Sequence, residues 1–291
     1  MKKLLLILLY MPLIFSCGEN EKNEEKSQKE ENENSLTREN IKGNVKETIS
    51  TTFSAMDAKG DPKEWGLSYK GICKYNKDGN ITEATVYNAD GELFEKWKSQ
   101  YDMDGNIREE THYNANGEVI YIDKFQYDEY GNETECKVWA YYNDVDLMST
   151  SKYQYDEKGN RTEETHYNAY GDLGGKSKYQ YDEEGNRTEW THYNANGELG
   201  GKYKYQYDED GNRTEETHYN ANGEVIYIDK FQYDEYGNPT NHTYYNTDGE
   251  LFFMYKIQYE YDKIKNWIVR SEIDEKKMLK SVTKREIEYY E

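Results

Sequence analysis

A tyrosine recurs at Tyr75, Tyr101, Tyr127, Tyr155, Tyr181, Tyr207, Tyr233 and Tyr259, every interval being 26 residues except the 28 from Tyr127 to Tyr155. Internal repetition at a fixed period constrains the fold more than any other feature, because each repeat is one small unit that must stack on its neighbours. The clearest unit, Tyr181 to Gln206, contains two turn signals, Asp182-Glu183-Glu184-Gly185-Asn186 and Asn194-Ala195-Asn196-Gly197-Glu198. Each places Asp or Asn first and Gly fourth, as a type I turn closed by a left-handed glycine requires. The intervening segments, Arg187 to Tyr193 and Leu199 to Tyr207, are rich in Tyr and Thr and are predicted as strands. Glycines at this spacing would interrupt any helix.

The expected fold is therefore all-β. Tandem two-stranded repeats of about 26 residues would form a long antiparallel meander of roughly sixteen strands. So large an open sheet does not stay flat, and it is expected to curl into a spiral or solenoid-like array. Pairing Asp208 with Asn212 puts Lys204 opposite Glu216, and the same rule matches Lys98 with Glu110 and Lys152 with Glu164. Lys178 would meet Trp190, Lys124 Cys136 and Lys230 His242. One face would carry Lys, Gln and Glu. The other, with Tyr203, Tyr205, Tyr207, Leu199 and Tyr219, would be buried as the sheet curls.

Composition agrees with a thin sheet rather than an aliphatic globule. Only 35% of residues are hydrophobic, 33% are charged, and 32 are tyrosines, which bury a ring while the hydroxyl stays wet or finds a partner. The formal charge of −21 makes nucleic acid an unsuitable partner.

Lys2 and Lys3, the apolar run Leu4 to Phe15, Ser16 and Cys17 read as a signal peptide over residues 1–16 ending in a lipobox. Cys17 is the expected lipidation site. Residues 17–40 would be the lipidated cysteine and a disordered charged stalk, and residues 41–291 the β-repeat domain, with regular repeats over about 75–262. Glu19, Glu21, Glu24 and Glu25 resemble the surface-export signals of some Gram-negative lipoproteins. The expected location is the outer membrane, displayed at the surface, with the periplasmic face as the alternative; the membrane is touched through the lipid anchor alone.

The run Tyr155-Asp156-Glu157-Lys158-Gly159-Asn160-Arg161-Thr162-Glu163, with comparable runs from Tyr127, Tyr181 and Tyr207, resembles the YD-repeat, or Rhs-type, family. The similarity covers residues 75 to about 262. It implies β shells or spirals that display or enclose something, in some members ahead of a toxin; only the repeat architecture is carried over.

No catalytic motif stands out: the sequence holds no Gly-x-Ser-x-Gly, no His-Glu-x-x-His and no phosphate loop. His112, His166, His192 and His218 share a repeat position, but equivalent positions two strands apart sit ~9.6 Å from one another, too far to share one metal, so neither a metal nor a cofactor is expected. Asp102-Met103-Asp104-Gly105-Asn106 and Asp208-Glu209-Asp210-Gly211-Asn212 resemble fragments of calcium loops and are explained by turn chemistry. Cys73 and Cys136, about five strands apart, are expected as buried thiols rather than a bridge. Trp97, Trp139, Trp190, Tyr203 and Tyr205 are the aromatic residues that would stack on a ligand. The expected function is a non-enzymatic, surface-tethered scaffold or adhesion module with a protein or polysaccharide partner. The alternatives are a carbohydrate or cell-wall binding lipoprotein using its aromatic rows, and an accessory or remnant of an Rhs-like toxin system.

Overall fold

The computed structural model describes residues 34–55, 65–141 and 145–291; the expected leader, Cys17 and the stalk through residue 33 lie outside them. The described chain forms one helical turn, α1 (Ser35–Arg38), and eighteen strands. The first nine are β1 (Val45–Ala55), β2 (Trp65–Tyr75), β3 (Ile81–Tyr87), β4 (Leu93–Tyr101), β5 (Ile107–Tyr113), β6 (Val119–Tyr127), β7 (Glu133–Ala140), β8 (Asp146–Tyr155) and β9 (Arg161–Asn168). The others are β10 (Leu173–Tyr181), β11 (Arg187–Asn194), β12 (Leu199–Tyr207), β13 (Arg213–Asn220), β14 (Val225–Tyr233), β15 (Pro239–Tyr245), β16 (Leu251–Tyr261), β17 (Trp267–Asp274) and β18 (Leu279–Tyr289).

The turns define the strands, as the repeat predicts. Asp182 Oδ1 accepts the backbone N–H of Asn186 at 2.7 Å, and Asn186 Nδ2 donates back to Oδ2 at 3.1 Å. Gly185 supplies the left-handed step at φ +91°. At the other end of the hairpin Asn194 Oδ1 accepts from the N–H groups of Asn196 and Glu198 at 2.9 and 3.0 Å.

The spiral is overturned. Strand order follows the sequence, and β1 pairs along both β2 and β18, so that Thr48 lies opposite Cys73 on one side and Ile287 on the other. The meander closes into an eighteen-stranded antiparallel barrel with no free edge. Closure is made by β1 and β18, which lie within the expected β domain but outside its regular repeats, and by bulges that simple alternation does not reveal. Asp208 N–H donates to the Asn212 carbonyl at 3.0 Å, as expected, and Tyr207 faces Arg213, but Thr214 is then squeezed out and Gln206 faces Glu215. Bulges bend a strand and increase its twist, and one such shift recurs in every pairing of the ring. Thr162 and Thr214 hold theirs in place, each Oγ1 donating to the carbonyl of Gln154 or Gln206 at 3.2 Å.

The bulge also moves the expected register by one residue. Lys98, Lys152, Lys178 and Lys204 lie opposite Thr111, Thr165, Thr191 and Thr217, while Lys124 faces Lys137 and Lys230 faces Thr243. The lysines meet glutamates on their other neighbour instead, Lys98 with Glu83, Lys124 with Glu109, Lys152 with Glu135, Lys204 with Glu189 and Lys230 with Glu215. This face is the outer wall, with Lys98, Lys124 and Lys230 side chains about half exposed. Tyr219 belongs to it, 5.3 Å beneath Lys202, and not to the buried tyrosine face. An even-numbered up-and-down barrel has the topology of outer-membrane proteins, but a wall of Lys, Glu, Gln and Thr cannot face lipid, where each midplane Lys costs roughly 2–4 kcal/mol. The wall faces water.

The repeat tyrosines lace one rim together. The hydroxyls of Tyr181, Tyr207 and Tyr233 donate to the carbonyls of Arg161, Arg187 and Arg213 at 2.7–2.8 Å, each joining the end of one strand to the start of the strand before it. Residues 34–44 cross this same rim. Leu36 N–H donates to the Gly79 carbonyl at 3.1 Å, Asn40 Nδ2 to the Tyr236 carbonyl at 2.5 Å, and Asn266 exchanges hydrogen bonds with Lys42 at 2.7 and 2.8 Å, so the segment bridges the β2–β3, β14–β15 and β16–β17 turns. Its Leu36 and Ile41 build a small core with Val45 of β1 and Tyr75 of β2. Residues 34–40, expected as the end of a disordered stalk, are part of the fold, because Leu36 and the Asn34 helix cap have these partners to satisfy them.

Candidate functional site

The inward face carries the unusual chemistry. Of the five ligand-stacking aromatics expected from the sequence, four point inward: Trp97 and Tyr205 are buried, and Trp190 and Tyr203 are half-buried and stacked at 4.8 Å. Trp139 pairs with Ile122 on the outer wall, so it is not part of that set. Tyr203 also stacks on His218 at 4.1 Å, and half-buried rings continue through Tyr227, Tyr244 and Phe253 at 4.8–5.1 Å from one neighbour to the next. Tyr205 is clasped by Arg187 and Arg213, whose guanidiniums lie 5.0 and 5.5 Å from its ring. The strip from Tyr227 to Phe253 escaped the sequence reading because inward parity depends on bulges that flat alternation does not reveal.

The histidines of the shared repeat position all face inward, yet their environments differ. His166 and His192 lie opposite Gly175 and Gly201, which offer no side chain, and are exposed. His112 and His218 lie opposite Tyr121 and Tyr227, which stack or edge against them at 4.1 and 4.8 Å. His112 is 8% exposed, with Nε2 3.5 Å from Asp123 Oδ2 and 3.7 Å from Glu110 Oε2, and Nδ1 4.0 Å from Glu95 Oε1. Neither ring nitrogen has a hydrogen-bond partner, and Asp123 Oδ1 has none either. Burial opposes charge on His112, but the carboxylates of Asp123 and Glu110 outweigh it and raise the imidazole to about 9. Equivalent histidines stand too far apart to share an ion, but the strand register brings Asp123 and Glu110 beside a single one of them, His112.

The turns that resemble calcium fragments satisfy themselves: Asp102 Oδ1 accepts the N–H groups of Asp104 and Asn106, both at 2.9 Å. Cys73 and Cys136 form no disulfide.

The two rims differ as well. The rim opposite residues 34–44 carries six Asn-initiated turns that are each closed by an acidic residue: Glu92, Glu118, Asp172, Glu198, Glu224 and Glu250. Phe94, Val145, Met148, Tyr170, Leu173, Leu251 and Phe252 stand at or just below this distal rim, seven of the eleven exposed large hydrophobic residues among the described residues. Tyr170 and Phe252 are 90% and 69% exposed.

No family model matches the chain, and no curated protein matches it. Among solved structures, a porin-like protein from Bacteroides uniformis is similar over 84% of this chain and 96% of its own, at 10% identity and a TM-score of 0.42. The TcdB2-TccC3 complex without its hypervariable C-terminal region matches over 84% of this chain and 15% of its own, at 14% identity and a TM-score of 0.31. A putative outer membrane lipoprotein-sorting protein domain from Vibrio parahaemolyticus matches over 86% and 88%, at 8% identity and a TM-score of 0.25. Likenesses this distant identify neither a family nor an activity.

Proposed function

We propose that the chain is a non-enzymatic lipoprotein of the outer membrane, tethered through Cys17 at the surface, that presents the distal rim of its barrel to a protein partner. The observation that carries this reading is the concentration of exposed apolar side chains, Phe94, Met148, Leu251 and Phe252 among them, on the rim farthest from the segment that leads back to the anchor. Exposed apolar groups gathered in one region mark interaction surfaces, whereas single ones need no explanation. The acidic residues that close six of the distal turns fit a partner surface that is basic as well as apolar.

A photo-crosslinking amino acid placed at Phe252 or Phe94 in the full chain on cells should give a discrete protein adduct, and one placed at Lys98 on the wall should not. Adducts from the wall alone, or from neither, would remove the rim as the interaction surface. Fatty-acid labelling that persists in Cys17→Ala would remove the anchor.

A carbohydrate reading has one observation of its own, the half-buried inward strip from Trp190 and Tyr203 to Phe253. A sugar would lie inside the barrel rather than along its wall. Saturable glycan binding lost in Trp190→Ala, with rim adducts absent, favours that reading over the first.

A further inference from the structure

We infer that Glu110, His112 and Asp123 form a binding site for a zinc-class divalent metal ion inside the barrel. The separations carry the argument. His112 Nε2 stands 3.5 Å from Asp123 Oδ2 and 3.7 Å from Glu110 Oε2, beyond ordinary hydrogen-bond length. Ligand atoms ~2.1 Å from one tetrahedral zinc stand about 3.4 Å from each other, so the two gaps are those of groups that share an ion. All three donor atoms lie within 4.8 Å of one another. His112 and Asp123 are both 8% exposed, and the carboxylates face the imidazole at charge-pair rather than hydrogen-bond distance, so neither ring nitrogen nor Oδ1 of Asp123 makes a direct hydrogen bond; an ion that took the place of the imidazole proton would bind Nε2 and the two carboxylates directly.

The surroundings have the form of a metal site. Ser99 Oγ donates to Glu110 Oε1 at 2.8 Å, which leaves Oε2 turned to the histidine. Glu95 lies on the Nδ1 side of the imidazole, 4.0 Å away, where an outer carboxylate orients a metal-bound histidine. Tyr121 fixes the ring plane by stacking at 4.1 Å. One imidazole and two carboxylates suit zinc and its first-row neighbours, while calcium asks for six to eight oxygens. Three protein donors leave a fourth position for water or a ligand oxygen.

The chain contains its own control, since residues 109–132 recur without change at 215–238. In the second copy Arg213 replaces Ile107 and holds Glu216 at 3.0 Å, and His242 replaces Cys136 and engages Asp229 at 2.5 Å. There each carboxylate has a partner of its own, Arg213 for Glu216 and His242 for Asp229. In the first copy they converge on His112.

The full chain in detergent, stripped with a chelator and titrated with zinc chloride by calorimetry, should bind one ion per chain at this site. His112→Gln and Asp123→Asn should each abolish that binding, Glu95→Gln should weaken it by roughly 10-fold, and His218→Gln should leave it unchanged. Circular dichroism checks that the variants keep their β signal. The zinc X-ray absorption edge of the wild type needs no variant and should show nitrogen and oxygen neighbours only. Absence of saturable binding, binding that survives His112→Gln, or sulfur in the first shell would each overturn the site. The rim crosslinks are read independently, so either result stands without the other.

Discussion

The hydroxyl of Tyr290 donates to the backbone carbonyl of Tyr75 across 2.6 Å and 215 residues of sequence. It performs at the closing seam what Tyr181 and Tyr207 perform within the array. Tyr290→Phe should therefore cost about 1 kcal/mol of stability, the usual net worth of one hydrogen bond. Removing residues 279–291 deletes β18 and should cost far more, because β1 and β17 would both become open edges. Urea unfolding, with limited proteolysis probing β1, checks both outcomes; equal stability of the truncated chain would contradict a closed barrel.

Among the described turns, two lack the glycine that the others use. Lys265 and Lys277 sit at φ +72° and +62°, in the left-handed region where a side chain costs about 1–2 kcal/mol. Lys277→Gly should raise the melting temperature by roughly 2–4 °C. Gly197→Ala should lower it by a similar amount, since φ is +79° and no atom lies within 4 Å of a new methyl, leaving backbone strain as the only effect. A thermal melt of the two variants tests the pair.

Burial holds the carboxyl of Glu133 up at about 7, against 4.5 for an ordinary glutamate, even though Arg161 Nη2 approaches to 3.7 Å and pulls the other way. A group whose folded value is raised binds its proton more tightly in the folded chain. Its contribution is therefore complete below pH ~4.5 and is lost as pH rises through ~7, by an amount on the order of 3 kcal/mol at most. Glu133→Gln should remove this loss, so the variant gains on the wild type as pH increases from 4.5 to 8. An unfolding free-energy difference that stays flat over that window would show the carboxyl to be ionised throughout.

Deleting the whole unit 181–206 should leave a foldable barrel, because it joins equivalent positions and each strand packs chiefly on its ring neighbours. Deleting Thr191 alone reverses the faces of the rest of β11, driving inward residues to water, and should be the more damaging change in melting and protease resistance.

The sequence made the turns and strands legible because Asp182, Gly185 and Asn194 act locally, within four residues of themselves. What it concealed depends on the accumulation of small offsets. Thr214 reads as one more strand residue, yet as a bulge it decides which glutamate Lys204 meets and which way Tyr219 points. Closure depends on β1, which shares no repeat motif, and the cap depends on Leu36 and Ile41, two apolar residues in or just beyond a charged tract. For the His112 site a signal did exist. Comparing the duplicated stretches shows Ile107 and Cys136 where the other copy has Arg213 and His242, a loss of compensating partners that only acquires meaning once Asp123 is known to face Glu110.

Closure of the meander also imposes parity. In a ring where every neighbour runs the opposite way, the count must be even, so a chain of this kind can lengthen or shorten only two strands at a time. The 26-residue repeat is that quantum: gain or loss of one copy rescales the circumference and leaves β1 and β18 still able to meet. A half-copy would bring them together in parallel, with every seam hydrogen bond misdirected.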